Sequence, residues 1–160
     1  GGVLRHDRRH GRHSDFLKKG RQMIIQTISM KSVTAEGMGT LSVFEAGRDV
    51  PFDIKRIYYI HGAPAGVQRG GHAHKALRQV LWCPYGSILI RLDDGVEKTE
   101  VLLDDPARGL IVEHYMWREM IWQQADSVLC VAADSYYDAD DYIRDYDVFK
   151  RLVKSGGTEA

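Results

Sequence analysis

From Met23 onward the chain falls into short β-prone runs, none longer than eight residues, each closed by turn-forming residues. The runs are "MIIQTI", "TLSVFEA", "IKRIYYIH", "RQVLWC", "GSILIRL", "EKTEVLL", "GLIVE" and "DSVLCVAA". Many short strands at close, even spacing leave two architectures, a sandwich or a barrel. Pro84-Tyr85-Gly86 and Asp93-Asp94-Gly95 each separate two runs and supply positive-φ positions, so both are expected to close hairpins. After Asp138 the pattern changes: in "DADDYIRDYDVFKRLV", Tyr142, Ile143, Tyr146, Phe149 and Val153 recur at helical spacing behind an acidic first turn. The expectation is an all-β fold with one C-terminal amphipathic helix whose aromatic stripe packs on the sheet.

A length of 160 residues with 44% apolar content suits one domain, placed at residues 23–160. The first 22 residues carry seven Lys/Arg against two Asp, with His6, His10 and His13 and no apolar periodicity. They read as a flexible basic leader, natural or artificial, ahead of a start at Met23. The remaining body has 15 basic against 20 acidic residues, which argues against a nucleic-acid surface. With no long apolar run and no secretory pattern, a cytoplasmic protein without membrane contact is expected. Cys83 and Cys130 lie in apolar runs and read as small hydrophobes, not as a disulfide or a catalytic thiol.

The stretch "RGGHAHK" poses the functional question. Its spacing resembles the first signature of the metal-binding cupins, which are small jelly-roll barrels: Gly66, then His72 and His74, then Gln79, then Gly86. The resemblance implies a cupin-type barrel. The ligands do not follow, because a neutral Gln79 or a cationic Arg78 stands where a carboxylate is required. The second signature, counted from Gly109, meets Tyr115, Trp117, Met120 and Gln124, so its histidine is missing. Two imidazoles, an amide and a thioether are a poor set for zinc, iron or manganese, and no metal or other cofactor is expected.

Metal-free histidines can instead carry protons near neutral pH. On a strand, His-x-His places both rings on one face and into one cavity. Lys55, Arg56, Arg69 and Lys75 cluster around them in sequence, which suits a small anionic ligand such as a diphosphate.

The segments "VPFDIKRIYYIHGAPAGVQRGGHAHKALRQVLWCPYGSILIRLDDG", "LDDPARGLIV", "MWREM" and "DSYYDADDYIRDYDVFKRLV" resemble the nucleotide-sugar 3,4-ketoisomerases of the WxcM-like cupin group. The likeness covers about residues 25–153. It implies an isomerase that converts dTDP-4-keto-6-deoxyglucose to its 3-keto isomer without metal, working as a homodimer with exchanged N-terminal strands. It also implies His72 and His74 as the active-site pair, and Arg56, Tyr58 and Arg69 in or beside the pocket. Tyr58 joins the catalytic set, and Arg56, Arg69, Lys75, Gln79, Trp117 and Arg118 form the expected substrate-binding set. Two departures stand out: Gly71 replaces a bulkier residue, and Arg118 stands where some relatives have His.

The chemistry so implied requires removal of the weakly acidic C3 proton, an enediolate, and reprotonation at C4. An imidazole alone is too weak a base for this, so donors aimed at the enediolate oxygens must supply much of the stabilisation. His74 is the preferred base, with His72 or Tyr58 as donor. Two rivals remain: a cupin 3,5-epimerase, which needs a carboxylate beside its histidine, and a non-catalytic sugar-binding cupin. The sequence motif holds no such carboxylate.

Overall fold

The computed structural model describes residues 23–156, so the basic leader lies outside the described residues. In chain order the strands are β1 (Gln26–Ser29), β2 (Lys31–Ala35), β3 (Gly39–Val43), β4 (Arg56–Ile60), β5 (Gln68–His74), β6 (Gln79–Tyr85), β7 (Ile88–Asp93), β8 (Lys98–Leu103), β9 (Arg108–Val112), β10 (Trp117–Trp122), β11 (Val128–Ala133) and β12 (Tyr142–Ile143). A 3₁₀ turn, Ala139–Asp141, precedes β12, and one helix, α1 (Tyr146–Lys154), follows it.

Two five-stranded sheets, ordered β1-β9-β6-β11-β4 and β12-β5-β10-β7-β8, form the body. No strand pairing joins one sheet to the other among the described residues, so the all-β jelly roll is an open pair of sheets, not a closed barrel. Period-two alternation divides the space between them. On β6 the inward residues run Gln79, Leu81, Cys83; on β10 they run Arg118, Met120, Trp122, and all are buried. The later members join Ile88, Ile90 and Leu129 in the main apolar cluster. Each of these strands thus contributes one polar side chain to one end of the interior and apolar ones to the rest.

The Asp93–Gly95 turn closes the β7–β8 hairpin as expected: Asp93 pairs with Lys98, and the Asp93 and Asp94 carboxylates accept from Gly95, Val96 and Glu97 N–H groups. The expectation for Pro84-Tyr85-Gly86 is corrected. β6 and β7 belong to different sheets, so this turn is a crossing between them. Gly86, at φ 92°, is needed there because a Cβ would run into Ser127, which accepts from the Ser87 N–H.

The helix also begins later than its periodicity suggests. Tyr142 and Ile143 are not helical; they pair with His74 and Ala73 as β12. The acidic run is split between two caps, Asp138 accepting from Asp140 N–H ahead of the 3₁₀ turn and Asp145 accepting from Val148 N–H at the helix start. The helix then buries Phe149 and Leu152 with Trp117, Ala73 and Ile143 on the outer face of the second sheet.

Strands β2 and β3 form a separate hairpin that is exposed along its whole length. Ser32 and Thr34 bond to Ser42 and Thr40 on one face, while Val33 opposes Leu41 on the other. Val33 is 68% and Leu41 64% exposed, an apolar face left uncovered by the described residues. Cys83 is buried inward, whereas Cys130 alternates with buried Leu129 and Val131 and faces outward, so the two thiols stand on opposite sides of their sheet. No helix of the described residues is long and apolar enough to cross a membrane.

Candidate active site

Strand β5 carries the histidines and owes its shape to two glycines. Its register against β10 pairs His72 with Arg118 but Gly70 with Glu119, leaving Gly71 as an extra residue. Gly70 and Gly71 have φ 85° and 76°, which suits this bulge, and a Cβ on Gly70 would press on the Arg118 carbonyl at 2.8 Å. The bulge shifts the alternation by one. Arg69, opposite inward-facing Met120, therefore lies on the same face as His72 and His74 despite its odd spacing.

The two imidazoles meet edge to face with centroids 5.0 Å apart. Tyr142 lies against both, at 4.9 Å from His72 and 4.4 Å from His74, and the Arg144 guanidinium covers that tyrosine at 4.2 Å. His74 is buried, and its Nδ1 lies 2.9 Å from Asp141 Oδ2. The other Asp141 oxygen accepts from Ala76 N–H, and its backbone carbonyl accepts from Lys75 N–H, so the carboxylate is held at both oxygens and its backbone is pinned as well. Facing a carboxylate, Nδ1 of a neutral imidazole carries the proton, which leaves the lone pair on Nε2. That Nε2 is buried and has no hydrogen-bond partner among the described residues.

Beside the histidines sits Arg118, a guanidinium with 1% exposure. Its donors go to the Met116 and Glu113 carbonyls and to Gln79 Oε1, all neutral acceptors. Burial pushes its pKa down to about 10, so it is still a cation at neutral pH. Burial first, and the Arg118 charge second, hold His74 down at about 4 and His72 at about 3. Asp141 works in the opposite direction on His74, and a backbone hydrogen bond to Gly70 does so on His72. Tyr58, on β4, accepts from Gln79 Nε2 at 3.2 Å, and burial raises its phenol pKa. The Arg56 guanidinium stacks on Tyr58 at 5.3 Å and on Tyr137 at 5.7 Å. It lines, with His74, Asp141 and Tyr142, a cavity of about 100 Å³.

The residues singled out from sequence therefore separate. His72, His74, Tyr58, Arg56, Gln79 and Arg118 converge, and Arg69 shares their face from the rim. Gln79 has both amide atoms engaged by protein groups, and Arg118 keeps at most one of its five N–H groups for a ligand. Trp117 is not brought in: it alternates with Arg118, faces outward, and packs against Tyr146 and Phe149 of α1. Lys75 lies just past β5, half-buried, with its backbone N–H on Asp141.

Sequence reading missed Asp141, Tyr142 and Arg144. It also found no carboxylate for the histidines, and Asp141, 67 residues from His74, corrects this. A missing carboxylate therefore does not separate this site from an epimerase. Among the described residues no group of three His, Cys, Asp or Glu side chains is placed to hold a metal ion.

Residues 23–154 match the family described as WxcM-like, C-terminal. The chain is 44% identical over 128 residues to TDP-4-oxo-6-deoxy-alpha-D-glucose-3,4-oxoisomerase of Aneurinibacillus thermoaerophilus, covering 80% of this chain and 91% of that protein. Among solved structures it resembles a 3,4-ketoisomerase from Helicobacter canadensis, with TM-score 0.79 and 38% identity over 83% of this chain and 99% of that one. It equally resembles QdtA, a sugar 3,4-ketoisomerase from Thermoanaerobacterium thermosaccharolyticum in complex with TDP, with TM-score 0.79, 40% identity and coverage of 84% and 97%. A histidine-to-asparagine variant of that enzyme was solved with TDP-4-keto-6-deoxyglucose.

Both imidazoles should be neutral at pH 7 and take up protons only as the pH falls to about 4 and about 3. Asp141→Asn removes an influence that raises His74, so its midpoint should move lower still while His72 stays near 3. Imidazole ring NMR across an acid titration reads both. A His74 midpoint near its ordinary value of about 6.5 would contradict the electrostatics described here.

Proposed function

The chain belongs to the WxcM-like, C-terminal family, and from that premise we propose that it is a 3,4-ketoisomerase acting on dTDP-4-keto-6-deoxyglucose. The observation that carries the proposal is the buried, unpartnered Nε2 of His74, backed at Nδ1 by Asp141 and flanked by the Arg118 charge. A lone pair kept dry and aimed by a carboxylate is equipped to remove a proton from carbon.

In the proposed reaction His74 Nε2 takes the C3 proton, and the C3–H electron pair moves into a C3–C4 double bond as the C4 carbonyl becomes an oxyanion. Tyr58 is kept protonated by burial and is a donor for that oxygen. The Arg118 cation stabilises the same negative charge through a medium of low polarity. The imidazolium exchanges with solvent and delivers a proton to C4, while the O3 proton passes to the O4 oxyanion as the carbonyl closes at C3. An imidazole held at about 4 is a weak base in the free protein. It strengthens as the enediolate forms, because the new anion offsets the effect of Arg118, so the cost of charging the histidine falls where the reaction needs it.

The test is incubation with dTDP-4-keto-6-deoxyglucose in deuterated solvent, followed by NMR. A 3-keto product with deuterium at C4 is expected. A product still 4-keto but inverted and deuterated at C5 would identify an epimerase, and unchanged substrate a binding protein. His74→Asn should lower turnover by about 10²–10⁴-fold, leave dTDP affinity close to wild type, and abolish exchange of the C3 hydrogen. Wild-type exchange in this variant would assign the base elsewhere.

Metal independence belongs to the same proposal. Gln79 is consumed by Arg118 and Tyr58, and a divalent cation between the histidines would meet the buried guanidinium. Dialysis against a strong chelator should leave activity unchanged. Loss of activity that a divalent cation restores would overturn this part.

We also propose a homodimer in which the β2–β3 hairpin is exchanged. Support comes from the uncovered apolar face of that hairpin and from Ile57 and Tyr59, 61% and 63% exposed on the outer side of edge strand β4. Light scattering should give twice the chain mass, and Leu41→Asp should reduce it to one chain. A wild-type monomer would exclude the exchange. The two unpaired cysteines suit a reducing compartment, and the cytoplasm is the proposed location.

A further inference from the structure

Gln79 stands where a metal-binding relative of this fold would place a carboxylate, yet its two amide atoms are both turned to protein groups. Arg118 has donors only, so the atom facing its Nη1 at 2.5 Å must be the amide oxygen. This removes the usual ambiguity of an amide side chain. The nitrogen is then fixed on the opposite side, 3.2 Å from the Tyr58 hydroxyl oxygen, and it can only donate. A phenol oxygen that accepts from Gln79 cannot also send its single proton toward Gln79. Gln79 is 2% exposed, so the pair is shielded from bulk solvent.

We infer that Gln79 is a positioning residue: Arg118 sets its amide, and the amide in turn directs the Tyr58 O–H away from itself, which leaves its proton for another acceptor at this polar end of the interior. The inference rests on the ketoisomerase reading for its consequence, which is that Tyr58 is presented as a donor to the sugar oxygen that becomes the oxyanion. A carboxylate at position 79 would reverse the arrangement. It would satisfy Arg118 equally well and capture the phenol proton for itself. In this fold, then, the amide and the acid at this position are suited to different tasks, and Gln is the choice that leaves Tyr58 free to donate.

Two measurements test this, and only one of them depends on turnover. With a ring-fluorinated tyrosine at position 58, fluorine NMR follows phenol ionisation within the range where the protein stays folded. Gln79→Leu removes a donor to the phenolate and should raise the midpoint. Gln79→Glu supplies an acceptor for the neutral phenol and a nearby negative charge, and should raise it further, by about one unit or more. A midpoint unmoved by Gln79→Glu would overturn the hydrogen-bond direction whatever the protein does with a substrate.

The second measurement is a double-mutant cycle on the isomerisation. Gln79→Glu should lower kcat about ten- to a thousandfold with KM little changed, as loss of a transition-state donor does. Tyr58→Phe should do the same, and the double variant should be no worse than Tyr58→Phe alone. If Gln79→Glu costs its full factor in the Tyr58→Phe background, it acts by neutralising Arg118, and the positioning role falls. A wild-type protein that leaves dTDP-4-keto-6-deoxyglucose unchanged would sink the ketoisomerase reading, while the fluorine titration still decides which way the Tyr58 proton points.

Discussion

A buried guanidinium whose donors go to neutral acceptors is the constraint around which this interior is organised. Removing such a charge from water is costly, and neutral acceptors recover only part of that cost. Arg118, its pKa lowered by burial to about 10, is nevertheless a cation at neutral pH, and its donors are taken by two backbone carbonyls and Gln79. An ion-pair partner would have been cheaper for stability, but it would have cancelled the field that the neighbouring groups experience. That field helps keep both histidines neutral, opposes entry of a divalent cation, and favours any anion formed between them. Stability is conceded here, and the concession falls on the residues best suited to chemistry.

The rest of the fold contains this polar end by simple alternation. The same period that sends Leu81 and Cys83, or Met120 and Trp122, into the apolar cluster sends Gln79 and Arg118 to its edge. No separate domain or long insertion is needed. One local departure matters, the bulge at Gly70 and Gly71, which carries Arg69 to the inward face and brings strand β5 close against the Arg118 carbonyl. A second is the short strand β12, which has only two residues but sets Tyr142 across from His74 and Asp141 immediately before it.

What the sequence made legible follows from short-range rules. The His-x-His pair on one face, the Asp93–Gly95 hairpin and the all-β class all depend on contacts or periods within a few residues. Trp117 and Arg118 are adjacent on a strand, so alternation already forbade both from facing the cavity; the signal was present and was not applied. Asp141 and Tyr142 were hidden for a different reason. An acidic run before an aromatic stripe fits a helix start, and only the tertiary pairing of β12 with β5, which satisfies the backbone of 142–143, overrides that local preference. The crossing at Gly86 was likewise concealed, because a turn between sheets and a turn within a hairpin use the same residues. Arg69 was placed beside the pocket by resemblance, but its face depends on a bulge that two adjacent glycines suggest without locating.

The two histidines, alike in sequence, are made unlike by their surroundings. Both are neutral and both feel Arg118, but among the described residues only His74 has a carboxylate behind its ring, and its pKa lies above that of His72. Formation of an imidazolium at His74 is compensated on one side by Asp141 and, on the proposed reaction, on the other by the enediolate. At His72 no such backing exists, and the His74 charge would further oppose a second one 5.0 Å away. The first proton is therefore taken up more readily at His74, and a second at His72 only at lower pH. That asymmetry favours His74 as the group that gains and returns the proton, and leaves His72 a neutral ring whose N–H is available to the substrate or to the Gly70 backbone.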